Sequence, residues 1–421
     1  MAERRRMRGS GCRMDRAAAA GVLLCAALVV AALLAALVWF PSLRGEVRAS
    51  DGGGSSPSGA AGDVERGAVP SPARTTAARA RELVAAMDLG ERVGQLVMAP
   101  LFAGDDPSVL EDAVRVQHVG SVLLLGNWRS GVEGVRGAVD ALQSYARDGG
   151  DALIVAADQE GGQVQHLGGD GFDVMPSAVE QGRMSTDRLR AAAAGWGAQL
   201  AGAGVNVDLA PVLGTVVIDR AANEPIGALD RDFGLDAAGN AAHGKAFVLG
   251  MRDAGVRTAV KHYPGLGAVR GNTDFTSEGI LDETTSKEGA EAAAFYTVIA
   301  ETQPDMVMMS LATYRLMDPD DPAAFSSAIV EGTLRGEQGY DGVVISDSLS
   351  AAAVGDVPAD QLGVRLVEAG GDLACIGQSA YVSPVLEGLN RRAAEDRAFA
   401  AKVGAAAERV VRLKLDMGLL R

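Results

Sequence analysis

Residues 342–347 read Gly-Val-Val-Ile-Ser-Asp, and residues 256–265 read Val-Arg-Thr-Ala-Val-Lys-His-Tyr-Pro-Gly. Each is a short, mostly apolar run that stops at residues able to do chemistry: Asp347 in the first, Lys261 and His262 in the second. Short apolar runs bounded by Gly, Pro or Asp read as buried strands. Six more lie at 95–98, 121–125, 153–156, 205–209, 306–309 and 373–376, making eight. Stretches rich in Ala, Arg and Glu separate them, with apolar residues three and four apart at 187–203, 236–254, 287–301, 359–368 and, after the last run, 397–415. Near-continuous apolar strands alternating with amphipathic helices predict a parallel sheet covered on its faces. Eight such units predict an α/β fold of the (β/α)8 barrel type, in which chemistry sits at the C-terminal ends of the strands. A doubly wound open sheet is the competing fold, but no glycine-rich phosphate fingerprint follows the first strand.

The chain ahead of the barrel is a different material. Arg4, Arg5, Arg6, Arg8, Arg13 and Arg16 precede an uncharged apolar stretch at 17–40, about the length a helix needs to cross a bilayer. The arginines predict a cytoplasmic tail at 1–16. The apolar stretch exceeds the roughly 7 to 15 residues of a cleavable h-region and ends in Trp39-Phe40, so a retained transmembrane signal anchor is expected. Cleavage near Val47-Arg48-Ala49, giving a secreted protein, is the alternative. Cys25 reads as a buried membrane cysteine. Residues 50–77 are Gly-, Ser-, Pro- and Ala-rich and cannot bury enough surface to order themselves, so 41–77 is expected to be a flexible linker. Residues 78–421 are expected to form one extracytoplasmic catalytic domain at the cell membrane, acting as a monomer, with no further globular domain.

Cysteines occur at 12, 25 and 375 only, which leaves one thiol in the exported domain and excludes an internal disulfide or a cysteine-ligated metal there. Neither metal nor cofactor is expected. The net charge is −15, and residues 1–50 carry eight Arg against three acids, a net +5, so the remainder carries −20. So acidic a domain repels phosphate backbones, which argues against nucleic acid as a partner and against docking on an anionic leaflet.

The third strand ends in Asp158-Gln159-Glu160-Gly161-Gly162, where paired glycines allow close approach of a ligand and Asp158 can accept two sugar hydroxyls. The fourth ends in Leu209-Ala210-Pro211-Val212-Leu213, followed by the stretch Ile-Gly-Ala-Leu-Asp-Arg-Asp-Phe-Gly at 226–234. In their order, with 93–98 before them and 324–326 and 339–347 after, these pieces resemble glycoside hydrolase family 3, and more narrowly its single-domain β-N-acetylglucosaminidase branch. The resemblance runs from about Arg81 to Arg421. It implies that Asp347 is the nucleophile that forms a glycosyl-enzyme intermediate, and that Asp158, Arg231, Lys261 and His262 grip the hydroxyls of the first sugar. The implied substrate is β-linked N-acetylglucosamine of cell-wall peptidoglycan or its fragments, met through the membrane-tethered domain. A neighbouring cation, Lys261 or Arg231, is expected to hold the Asp347 pKa down.

The loop after Pro264 departs from that pattern. Where the branch carries an Asp-Ser-His triplet with the acid/base histidine, this chain has Asn272-Thr273-Asp274, which puts Asp274 at the histidine's position and Asn272 at that of its aspartate. None of His118, His166, His243 and His262 lies in this loop. His166 stands where the family has a sugar-binding arginine, and Gly214 where an aspartate is common. Two readings compete: an active glycosidase whose acid is Asp274 or Glu278, and a catalytically weakened sugar-binding homologue. The change at His166 also leaves a β-glucosidase open. In the enzyme reading the Asp274 pKa must rise, through burial beside Phe275 and repulsion from Asp347.

Overall fold

The computed structural model describes residues 72–147 and 152–420. The expected cytoplasmic tail, the expected 17–40 anchor and nearly all of the expected linker lie outside these residues. Among the described residues no helix is long and apolar enough to cross a membrane. Helix α1 (Pro72–Ala86) begins ahead of residue 78, where the domain was expected to start. Its Ala80 and Val84, one turn apart, are buried, and it packs on the last helix of the chain, so tertiary contact recruits residues that composition alone assigns to a linker.

Eight parallel strands follow: β1 (Val97–Phe102), β2 (Ser121–Leu125), β3 (Ile154–Ala157), β4 (Val207–Asp208), β5 (Arg257–Tyr263), β6 (Met306–Met309), β7 (Val343–Ser346) and β8 (Ala374–Cys375). Their order in the sheet is β7-β6-β5-β4-β3-β2-β1-β8. The ends meet through a parallel bridge between Ile345 and Leu373 and through the Ser346 N–H, which donates to Leu373 O at 3.0 Å, so the sheet closes. All eight expected apolar runs are strands of this barrel.

Around it stand α2 (Gly131–Arg147), α3 (Thr186–Gly202), α4 (Ala237–Asp253), α5 (Ala290–Thr302), α6 (Ala359–Glu368), α7 (Val382–Glu395) and α8 (Arg397–Asp416). Ser185, Asp236 and Asp396 cap α3, α4 and α8 by accepting backbone N–H groups that have no partner within the helix. Between β6 and β7 the helix Ala328–Glu337 has π-type hydrogen bonding.

Side chains alternate between two cores, as the pleat of a strand requires. Inside the barrel lie Met98, Leu123, Ile154, Ala156, Val207, Leu209, Ala259, Met306, Met308, Val343, Ile345, Leu373 and Cys375. Their strand neighbours, such as Val122, Val155, Val260, Val307 and Val344, face the helices. This parity builds the site. The inward series Ile154-Ala156 continues to Asp158 and Glu160, Ala259 continues to Lys261, and Val343-Ile345 continues to Asp347. Polar groups at the inward positions just past the apolar layers must converge on the barrel's C-terminal mouth.

Candidate active site

A cavity of about 360 Å³ opens at that mouth. Leu123, Leu125, Leu209, Met308 and Cys375 form its apolar floor, and Asp158, His166, Arg231, Lys261, His262, Asp274 and Asp347 all line it. One pocket therefore gathers these seven residues, all of them expected at the site. A second cavity of about 270 Å³ at the opposite end of the barrel is lined by Glu91 as its only carboxylate, so it offers no facing pair of acids.

The floor of polar groups is an ion network. Lys261 Nζ lies 2.5 Å from Asp158 Oδ1 and 2.6 Å from Glu160 Oε1. Arg231 donates to Glu160 from Nε (2.9 Å) and Nη2 (2.7 Å), and from Nη1 to Pro225 O (2.9 Å). Burial opposes each charge, but the partners prevail: Arg231 and Lys261 hold the Glu160 carboxyl well below its usual range, and Asp158 and Glu160 raise the Lys261 ammonium. Glu160 was not expected as a site residue, although its place two positions after Asp158 gives it the same inward parity. It is the shared counter-ion that fixes both cations. Asp208 was also missed. Of the outward parity, it is fully buried and accepts the Gln159 N–H at 3.1 Å, and burial pushes its carboxyl well up. No periodicity marks such a residue.

Glu160→Gln should strand Lys261 and Arg231 with half their compensation. Breaking a buried ion network of this kind costs roughly 3–5 kcal/mol, to be read from thermal or denaturant unfolding at neutral pH. Because the Glu160 pKa is depressed by folding, its contribution is complete above the ordinary carboxylate range and is lost as pH falls towards the folded value. The gap between wild type and variant should therefore narrow in acid; a constant gap would contradict the assignment.

His262 is buried, and burial, with Arg231 and Lys261, pushes its pKa well below the ordinary value, so the ring is neutral. Its Nε2 stands 3.7 Å from Asp347 Oδ2, beyond hydrogen-bond range, and among the described residues Nδ1 has no hydrogen-bond partner. His166 anchors Nδ1 against Gly126 O at 2.7 Å, which fixes the ring at the pocket wall.

Asp347 is held from both sides. Its N–H donates to Met309 O (2.9 Å), and its Oδ1 accepts the Ser348 N–H (2.8 Å). The expectation that a cation keeps its pKa low is overturned: burial, then the Asp274 charge, outweigh Ser348, Lys261 and Arg231 and push it up to about 7. The cations are committed to Asp158 and Glu160, which leaves Asp347 facing another acid.

That acid sits on the divergent loop. Arg270 and Gly271 donate to Gly279 O, both at 3.0 Å, closing the loop's neck. A Cβ on Gly271 would come within 2.1 Å of Glu278 O, so the neck requires glycine. Asn272 does not pair with the Asp274 carboxyl; its Oδ1 accepts the Asp274 N–H (3.0 Å) and so shapes the turn. The tip is docked on the segment after β7, where Ala353 N–H donates to Thr273 O (3.0 Å) and Ala352 N–H to Asp274 O (3.2 Å). Asp274 is solvent-exposed at the pocket mouth, yet partial desolvation by the protein around it, opposed by Arg231 and reinforced by Asp158, pushes its carboxyl up. The expected shielding by Phe275 is not present, because that ring is 81% exposed. Glu278 is exposed and does not line the pocket. Two carboxyls thus share one pocket with raised affinities for a proton, so they titrate as a pair.

The sequence model of the Glycosyl hydrolase family 3 N terminal domain matches residues 88–413. A β-hexosaminidase of Alkalilimnicola ehrlichii is 30% identical over 293 residues, spanning 67% of this chain and 81% of that protein. An uncharacterized secreted glycosyl hydrolase of Arthroderma benhamiae is 31% identical over 298 residues, 68% of this chain and 82% of its own length. Among solved structures, β-N-acetylhexosaminidase from Beutenbergia cavernae superposes with a TM-score of 0.76 at 40% identity, over 79% of this chain and 99% of that one. A closed eight-stranded barrel, acids and cations at its C-terminal mouth, and a family match across nearly the whole barrel agree: the chain belongs to glycoside hydrolase family 3, among its β-hexosaminidase-like members.

Proposed function

We propose that the protein hydrolyses terminal β-linked N-acetylglucosamine with retention of configuration, using Asp347 as nucleophile and Asp274 as acid/base. The observation that carries this reading is the pair of carboxyls facing one sugar-sized pocket above a fixed ion network. Asp158, Lys261, Arg231, His262 and His166 hold the hydroxyls of the sugar, and Glu160 holds the two cations in place. Ionised Asp347 attacks the anomeric carbon while Asp274 gives its proton to the departing glycosidic oxygen. Asp274, now ionised, then takes a proton from water as that water displaces Asp347 from the sugar. Raised proton affinity on both acids suits the exchange, since one proton serves the pair. Turnover of an aryl β-N-acetylglucosaminide well above that of the matching β-glucoside is the test; binding of N-acetylglucosamine without turnover of either would favour the weakened homologue.

The N-terminal arginines and the 17–40 stretch support a tethered enzyme with its barrel outside the cytoplasm, facing peptidoglycan or its fragments. The full-length protein should then fractionate with membranes and be released by detergent. N-terminal sequencing that begins near Ser50 would refute the tether.

A further inference from the structure

Phe275 is the one aromatic among the large apolar side chains left most exposed, and it follows Asp274 directly. Leaving a phenyl ring 81% in water forgoes burial worth roughly 1.5–3 kcal/mol. The ring is not a loose side chain on a wandering loop. Phe275 N–H donates to Asn272 O (3.0 Å), Thr276 N–H donates to the same oxygen (3.1 Å), and the Thr273 and Asp274 carbonyls are fixed to the backbone after β7. A rigid turn therefore presents the ring at the rim of the pocket, and among the residues lining the pocket it is the only one with an aromatic hydrocarbon face. The cavity, about 360 Å³, lies at the small end of the roughly 300–1,000 Å³ usual for ligand sites, room for a single sugar. Whatever is attached through the scissile oxygen must lie outside it, beside the acid that protonates that oxygen.

We propose that Phe275 is the platform of a leaving-group subsite, on which the C–H face of a second pyranose stacks while Asp274 addresses the oxygen between the two sugars. The inference rests on Asp274 being the acid/base, because that role places the leaving group next to residue 275. A pyranose ring has an apolar C–H face that an aromatic ring can cover, and with the rim otherwise lacking aromatic faces, this one contact sets the preference for a sugar over a small leaving group. Its contribution should be near tenfold in affinity, as for other well-placed aromatic contacts.

The measurement is calorimetric binding to the Asp347→Asn protein, in which turnover is blocked, with N-acetylglucosamine and with its β-1,4-linked disaccharide. The disaccharide should bind more tightly than the monosaccharide. Adding Phe275→Ala should cost about tenfold for the disaccharide and leave the monosaccharide unchanged, and Phe275→Trp should restore the difference. A disaccharide bound equally well with and without the ring overturns the subsite alone, as does an equal loss on both sugars, which would mean that Phe275 supports the loop. If neither sugar binds, the glycosidase reading falls and the subsite with it.

Discussion

Asp347→Ala should abolish turnover of an aryl β-N-acetylglucosaminide, with a loss of at least about 10⁴-fold in kcat, as removal of a catalytic nucleophile commonly causes. The fold should survive the change. Asp347 is a carboxyl whose pKa burial and Asp274 push up to about 7, so the native state strains to keep it charged, and its removal relieves repulsion with Asp274. An unchanged or raised melting temperature beside a lost rate separates chemistry from stability. The mechanism adds a sharper test: with Asp347→Gly, external azide can enter the vacated space and attack from the same face, yielding an α-linked glycosyl azide. Undiminished turnover in the alanine variant would sink the nucleophile assignment.

The second large effect belongs to Asp274. General acid catalysis is worth about 10²–10⁴-fold, and it matters in proportion to how poorly the leaving group departs unaided. Asp274→Asn should therefore slow an alkyl or sugar glycoside by about that factor while sparing glycosyl transfer from activated aryl glycosides, and azide should accelerate release of the glycosyl-enzyme. Equal loss on both substrates, or none, would move the role to Glu278 or favour the weakened homologue. The same variant predicts a shift in pH dependence. In the proposed mechanism Asp347 attacks only when ionised and Asp274 donates only when protonated, so kcat/KM is highest while the pair holds one proton and falls on both sides. Asp274→Asn removes one of the two ionisations, so with an activated aryl glycoside the alkaline limb should disappear while the acid limb, set by Asp347 alone, remains. An alkaline limb that persists would mean that the proton lost there is not the Asp274 proton.

Particular residues show where the sequence sufficed. The eight apolar runs were legible because a strand buried on both faces must be apolar along its whole length, and each became a barrel strand. Their ends marked Asp158, Lys261 and Asp347, and parity along the runs, since residues two apart on a strand point the same way, explains why the three meet. The same rule applied one step further would have found Glu160. The helices expected at 187–203, 236–254 and 397–415 were legible from apolar residues three and four apart, and in the folded chain Ser185, Asp236 and Asp396 cap them.

What the sequence could not decide depended on which charges partner which. Lys261 and Arg231 looked free to steady Asp347, but the folded chain commits them to Asp158 and Glu160, at separations of 2.5 to 2.9 Å. A pKa is the sum of desolvation and every nearby charge, and neither is defined before the chain closes. The loop told the same story: Asn272 and Asp274 aligned with a catalytic pair, yet only the docking of the tip on residues 352 and 353 set Asp274 in the pocket of Asp347, spent the Asn272 side chain on the turn and left Phe275 in water. Sequence alone determined the barrel and the strand ends that carry the chemistry, because both follow from local periodicity. Tertiary structure decided which acid shares the pocket with Asp347 and which cations are spent, because long-range distance sets electrostatics.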